Sequence, residues 1–282
     1  MRDISLGYSP CPNDTFIFYA LSHGKIDTGD LNFKERLLDV ETLNQKAKLT
    51  ELDITKVSYH AIGHLREKYC LLRSGSAMGR GCGPLIVAKE ELASEDLQRK
   101  KIAIPGRLTT AYLLLQLYFS SFPLHPAFLI EMSFDKIINS VKNRDVDAGL
   151  IIHEGRFTYA FHGLKKIADL GEWWEKETGL PIPLGGIIAK RGLGEEIIGK
   201  IDYIIRSSVE YALKNRHEPR AYVKEHSQEI GDDVIEQHIN LYVNDYSLDI
   251  GEEGISAVKE VFRRAEKAGI IEKSRYNFLC AT

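Results

Sequence analysis

A histidine that directly follows a continuous apolar run, in AGLIIHEGR at residues 148–156, is the residue of this sequence best suited to moving a proton. The run has strand character, so His153 stands at a strand end, where open α/β sheets present residues to ligands. Imidazole titrates at about 6.5 in the absence of perturbation, which lets it accept a proton near neutrality as a general base. The competing reading is a structural histidine bonded to neighbouring backbone. Two segments could hold an anion beside it. In SPCPNDTF, residues 9–16, Ser9, Asn13, Asp14 and Thr15 cluster between a strand end and a helix, and in PGRLTTAY, residues 105–112, Thr109 and Thr110 open a helix after the strand KIAIP. A helix N-terminus offers unpaired N–H groups and the positive end of a dipole, suited to a carboxylate or phosphate. Plain capping explains either segment alone. Two of them, one in each proposed half of the chain, point to a shared cleft. Ser58 ends the strand-like LDITKV, and Lys56 and Val57 precede it.

Other reactive groups fit known chemistry less well. His153 and His162 lack HExxH spacing, and no other His, Cys, Asp or Glu cluster has a metal-ligand pattern, so no metal is expected. GSAMGRGCGP, residues 75–84, is glycine-rich but has no GK[ST] ending and reads as a turn or hinge. Cys11 lies beside a helix N-terminus without an identifiable histidine partner, and Trp173 and Trp174 read as packing.

The elements that must position these groups alternate. Strand-like ISLGYS, LDITKVS, CLLRSGS, KIAIPG, AFLIEMS and AGLIIHE are separated by helical ETLNQKAKL, TAYLLLQLYFSS and DKIINSVKNR, the pattern of an α/β protein. Asn13 or Asp14 is the expected cap of the first helix, with Phe16, Ile17, Tyr19, Ala20 and Leu21 on its apolar face. After residue 190, Ile197, Ile201, Ile204, Ile205, Val209, Ala212 and Leu213 fall at helical spacing, as do Ile255, Val258, Val261, Phe262 and Ala265. GPLIVAK at 83–89 is echoed by GGIIAK at 185–190. Read as two crossover hinge strands, they divide the chain into a large discontinuous lobe, residues 1–88 and 187–282, and a small inserted lobe, residues 89–186.

A chain of 282 residues exceeds the usual single core, in keeping with two lobes. Its net charge of −3, with 37 basic and 40 acidic side chains interspersed, offers no broad field for nucleic acid or an anionic membrane surface. The N-terminus has no secretory pattern and no apolar run reaches a membrane span, so a cytoplasmic protein is expected. Cys11, Cys70, Cys82 and Cys280 form no CxxC pair and are expected to be free thiols. The expected partner is a small anionic molecule, and nothing indicates an oligomeric state.

Together, LGYSPCPNDTFIFYAL, LLDVETLN, ELDITKVSY, GRGCGPLIVA, IPGRLTTAYLLL, AGLIIHEGRFTY, DLGEWWEKETGLPIPLG and YSLDIGEEG resemble, in order and over nearly the whole chain, the 1,4-dihydroxy-6-naphthoate synthases of the futalosine route to menaquinone. The resemblance implies a cytoplasmic enzyme with a periplasmic-binding-protein-like (type II) fold, two α/β lobes flanking a central cleft. It implies a lyase that cleaves cyclic dehypoxanthinylfutalosine to 1,4-dihydroxy-6-naphthoate, without metal or organic cofactor. On this likeness His153 is the general base, and Lys56, Val57, Ser58, Thr109 and Thr110 contact the carboxylate substrate. Ser9 and Asn13 join them from the first helix terminus. SYHA at 58–61 departs from the family by placing His60 where a small residue is expected, which makes His60 a rival base. The alternatives are a non-catalytic small-anion binding or sensing protein of the same fold and the related chorismate dehydratases.

Overall fold

A computed structural model describes residues 1–120, 128–227 and 231–280. The chain opens with β1 (Arg2–Tyr8), α1 (Pro12–Ser22), β2 (Leu31–Leu37), α2 (Val40–Lys48), β3 (Ile54–Ser58), α3 (Tyr59–Leu65), β4 (Tyr69–Leu71) and β5 (Ala77–Gly79). It continues through β6 (Leu85–Ala88), β7 (Lys101–Ile104), α4 (Thr110–Phe119), β8 (Phe128–Glu131), α5 (Phe134–Lys142), β9 (Ala148–Ile151), the single turn α6 (Gly155–Thr158), β10 (Lys165–Asp169) and α7 (Leu170–Thr178). The long β11 (Ile182–Lys190) leads to α8 (Glu195–Lys214), α9 (Arg220–His226), α10 (Asp232–Tyr242), α11 (Asp245–Leu248) and α12 (Gly251–Lys267).

Two sheets organise these elements. One runs β2-β1-β3-β11-β4, with β5 also paired to β11; the other runs β10-β6-β9-β7-β8. In the first, β2, β1 and β3 are parallel, as βαβ connections through α1 and α2 require, and β11 returns antiparallel to β3 with Gly185 opposite Ser58. In the second, β8, β7 and β9 are parallel while β6 and β10 run against their neighbours. Of the two echoing segments, the first pairs inside the second sheet and the second inside the first. The chain therefore passes from one sheet to the other before Leu85, within the turns that follow β5. The glycine-rich segment accordingly contains a strand, β5, as well as the turn expected there.

Side-chain periodicity decided the helices' packing. On α8 the buried face is Ile198, Ile201, Ile204, Ile205, Ser208, Val209 and Ala212, and on α12 it includes Ile255, Val258, Val261, Phe262 and Ala265. The first helix differs from expectation at its start. Its N-cap is Cys11, with Pro12 at the first helical position and no side-chain cap, so Asn13 and Asp14 sit inside the first turn rather than before it. Proline fits there because its fixed φ is helical and its missing N–H is one that no intrahelical acceptor would meet. The helix is buried from Pro12 to Leu21, between its sheet and α8.

The free-thiol expectation holds for Cys11 and Cys82 and fails for the other pair: Cys70 and Cys280 are joined in a disulfide with Cα atoms 4.8 Å apart. The partners are 210 residues apart in sequence, a separation that no local motif reveals. They meet because residues 278–280 lie alongside β4, where Leu71 N donates to Phe278 O at 2.7 Å and Cys280 N to Leu71 O at 3.0 Å. Trp174 is fully buried and donates from Nε1 to Pro181 O at 3.0 Å, a packing role as expected. Among the described residues, no helix is long and apolar enough to cross a membrane.

Candidate active site

The cleft between the sheets is lined by Ser9, Asn13, Lys56, Val57, Ser58, Thr109, Thr110 and His153, so a single cavity gathers the eight residues expected to act as base or substrate contacts. Asp14, Cys82, Leu184, Gly185, His238 and Tyr242 complete much of the wall, around about 680 Å³ of unfilled space reaching to the cleft mouth. Strand ends and helix starts supply these residues, as the geometry of an open α/β sheet directs.

His153 follows β9 with a backbone φ of +54°, in the left-handed region that a non-glycine residue enters at a cost of about 1–3 kcal/mol. That conformation turns its ring out of the strand direction, towards the cleft. The ring packs against Phe134, with centroids 5.0 Å apart, and lies nearly parallel to His238 at 6.1 Å. Its Nε2 is shut off from solvent and has no hydrogen-bond partner among the described residues. Burial lowers the His153 pKa to about 4; Asp14 pulls it upward and Lys56 downward. The ring is therefore neutral at physiological pH, with a lone pair available.

At the start of α1 the anion in place is the protein's own. Asp14 accepts from Ser9 Oγ at 2.8 Å, Ser9 N at 3.2 Å, Asn13 Nδ2 at 2.9 Å and Lys56 Nζ at 2.8 Å. Lys56 also donates to Gly75 O at 2.9 Å, and both charged side chains are buried. Ser9, Asn13 and Lys56 thus hold a carboxylate, but an internal one, and one ammonium hydrogen of Lys56 remains uncommitted to these two partners. This cluster fixes the wall that His153 faces.

The other end of the cleft is built across the two sheets. Ser58 N donates to Asn44 Oδ1 at 2.9 Å and Asn44 Nδ2 to Ser58 Oγ at 3.2 Å, which leaves the serine hydroxyl hydrogen free to donate. Thr109 caps α4, its Oγ accepting from Tyr112 N at 3.2 Å and donating to Gly106 O at 2.8 Å. The Thr110 hydroxyl accepts from Tyr59 N at 2.8 Å and donates to Leu184 O, tying α4 to α3 and β11. The two threonine hydroxyls are therefore occupied. The groups left to receive an anion here are the Thr110 and Ala111 amides in the first turn of α4, which have no intrahelical acceptor.

His60 does not line the cavity. Its ring points towards His64 and Tyr112, with centroids 5.2 and 6.1 Å away, and burial lowers its pKa to about 4. The helical start of α3 at Tyr59 rotates it away from the strand-end direction of Ser58. Three groups escaped the reading of the sequence. Asn44 is fully buried on α2, and His238 and Tyr242 reach the cavity from α10. Helical spacing gave no sign that His238 belonged to a site some 85 residues upstream. Cys11 Sγ, a ring nitrogen of His153 and a carboxylate oxygen of Glu154 lie within 4.8 Å of one another, a cluster of metal-ligating types assembled from distant segments. Burial, reinforced by Glu154, pushes the Cys11 thiol well above its ordinary pKa, so it is protonated.

A sequence model of the family described as "Menaquinone biosynthesis" matches residues 4–267. The 1,4-dihydroxy-6-naphthoate synthase of Thermus thermophilus is 48% identical over 274 residues, 97% of this chain and 98% of that protein. The enzyme of the same name from Streptomyces coelicolor is 43% identical over 269 residues, covering 95% and 94% of the two chains. Among solved structures, a protein from Archaeoglobus fulgidus superposes with a TM-score of 0.89 at 39% identity, covering 95% of this chain and 98% of its own. The alkanesulfonate-binding protein of Xanthomonas axonopodis superposes at 0.72 with 13% identity, covering 96% and 94%. That second likeness shows the fold, which is periplasmic-binding-protein-like.

Proposed function

Because this chain belongs to the menaquinone biosynthesis family and is an enzyme of that route, we propose that it is the carbon–carbon lyase that converts cyclic dehypoxanthinylfutalosine to 1,4-dihydroxy-6-naphthoate, with His153 as general base. The observation that carries the reading is the His153 ring: neutral, with an unpartnered Nε2, in the cavity that also gathers the other seven expected residues.

The substrate carboxylate binds at the α4 end, on first-turn amides and the Ser58 hydroxyl, where the dipole and free donors favour an anion. Its negative charge raises the proton affinity of His153 above that of the empty cleft, by the same Coulombic rule through which Asp14 acts. His153 then removes a proton, the pair of that bond forms a ring double bond as the carbon–carbon bond breaks, the pair of the broken bond leaves on the sugar-derived fragment, which takes up a proton, and the ring becomes aromatic. Closure of the two lobes about this cleft excludes water during this step. A cytoplasmic location suits a small substrate of a biosynthetic route and is part of this proposal; cysteine usage does not support that compartment, since Cys70 and Cys280 are paired.

Purified protein is expected to form 1,4-dihydroxy-6-naphthoate from cyclic dehypoxanthinylfutalosine, followed by chromatography and absorbance. His153→Asn should bind the substrate and lose turnover. Wild-type protein that binds the compound tightly and returns it unchanged would refute the lyase reading.

A further inference from the structure

His238 is a fully buried histidine on the cavity wall to which the proposed chemistry gives no task. Its protonation pattern follows from its neighbours. Asn13 Nδ2 donates to Asp14 Oδ1 at 2.9 Å, so the side-chain oxygen of Asn13 is the atom turned towards His238, 3.0 Å from Nε2. An amide oxygen only accepts, so Nε2 carries the ring hydrogen and Nδ1 carries the lone pair. That Nδ1 is buried and has no hydrogen-bond partner among the described residues. The closest carboxylate oxygen, Glu154 Oε2, stands 3.9 Å away, beyond hydrogen-bond distance.

A buried acceptor without a donor is destabilising, and folded proteins ordinarily avoid it. The cost is relieved when a ligand brings the missing hydrogen. We infer that Nδ1 of His238 accepts a hydrogen bond from a hydroxyl group of the substrate, close to the atom that His153 deprotonates. The two rings are parallel with centroids 6.1 Å apart, near enough for adjacent atoms of one ligand to meet both. A carboxylate has no hydrogen to give, so this group is distinct from the one received by α4. Burial and the neighbouring His153 hold the His238 pKa well below its ordinary value, so it reads the hydroxyl as a neutral acceptor. His238 is then a specificity-determining residue: a hydroxylated substrate satisfies it, and an analogue lacking the hydroxyl leaves it unpaired.

The inference rests on the cleft being the substrate site, and two variants separate it from a packing role. In His238→Gln the amide reaches the position of Nε2 and can keep the bond to Asn13 while the Nδ1 acceptor is lost. In His238→Asn an oxygen stands near the position of Nδ1 while the Asn13 bond is lost. With cyclic dehypoxanthinylfutalosine, KM should rise about 10-fold in His238→Gln and stay within about 3-fold of wild type in His238→Asn. On unmodified protein carrying ¹⁵N-histidine, the Nδ1 resonance should be that of an unprotonated nitrogen and move upfield when the substrate is added to saturation. A His238→Gln enzyme with wild-type KM, an Asn variant weaker than the Gln variant, or an Nδ1 resonance unmoved by bound substrate would overturn the inference while leaving the lyase reading in place. Wild-type protein that neither binds nor converts the compound overturns both.

Discussion

If His153 is the base, the acid limb of kcat/KM belongs near pH 4 and not near the ordinary histidine value. The perturbation is pH alone, and kcat/KM reports the free enzyme. Burial of the ring lowers its pKa to about 4, from the ordinary value of 6.5. The difference corresponds to roughly 3 kcal/mol in favour of the neutral form. At pH 5 a ring of pKa about 4 is roughly nine-tenths neutral, whereas an unperturbed ring would be only about 3% neutral. The two cases differ by about 30-fold in kcat/KM at that pH, a gap that initial rates resolve easily. Rates should be read within seconds of dilution into acid, because the same burial works against stability. His153, His60 and His238 all have folded-state pKa values below those of the unfolded chain. The unfolded chain therefore takes up protons first as pH falls. The stability tied to these neutral rings is complete above pH 6.5 and is lost as pH drops from there through about 4. Circular dichroism at each pH separates the two effects. An acid limb centred between pH 6 and 7, in protein still folded at pH 5, would refute the assignment of His153 or the dryness of its surroundings.

Three further outcomes follow from particular contacts. Asp14→Asn strands the buried Lys56 ammonium and should lower the unfolding free energy in urea by about 3–5 kcal/mol; Lys56→Met added to it should recover most of that loss, and simple additivity would show the pair to be uncoupled. Thr110→Val removes the hydroxyl shared by Tyr59 N and Leu184 O, so KM should rise about 5–10-fold with kcat changed by less than about 3-fold; an unchanged KM would detach this link from substrate binding. Denatured, unreduced protein should titrate with two thiols, Cys11 and Cys82, and Cys280→Ser should cost up to about 5 kcal/mol in oxidising buffer and nothing after reduction; four titrating thiols would contradict the bridge.

The sequence determined the local elements. The period of 3.6 on α8 and α12 and the short apolar runs of β1, β3, β7 and β9 are properties of adjacent residues, and each appears close to where its pattern lies. Strand ends and helix starts are local as well, which is why Ser58, Thr109, Thr110 and His153 could be picked out individually. Tertiary structure alone decided what those residues do with their polar atoms. Ser9, Asn13 and Lys56 read as donors for a ligand, yet their partner is Asp14, because β1, α1 and β3 converge on one carboxylate. His60 stood as a rival to His153, and packing separates them: a helical start turns the first towards His64, and a left-handed backbone turns the second into the cleft. His238, Asn44 and the Cys70–Cys280 bridge had no local signature at all. Periodicity reports which face of an element is buried, whereas a hydrogen-bond partner or a pKa depends on groups that only the packing of distant segments brings within a few ångströms.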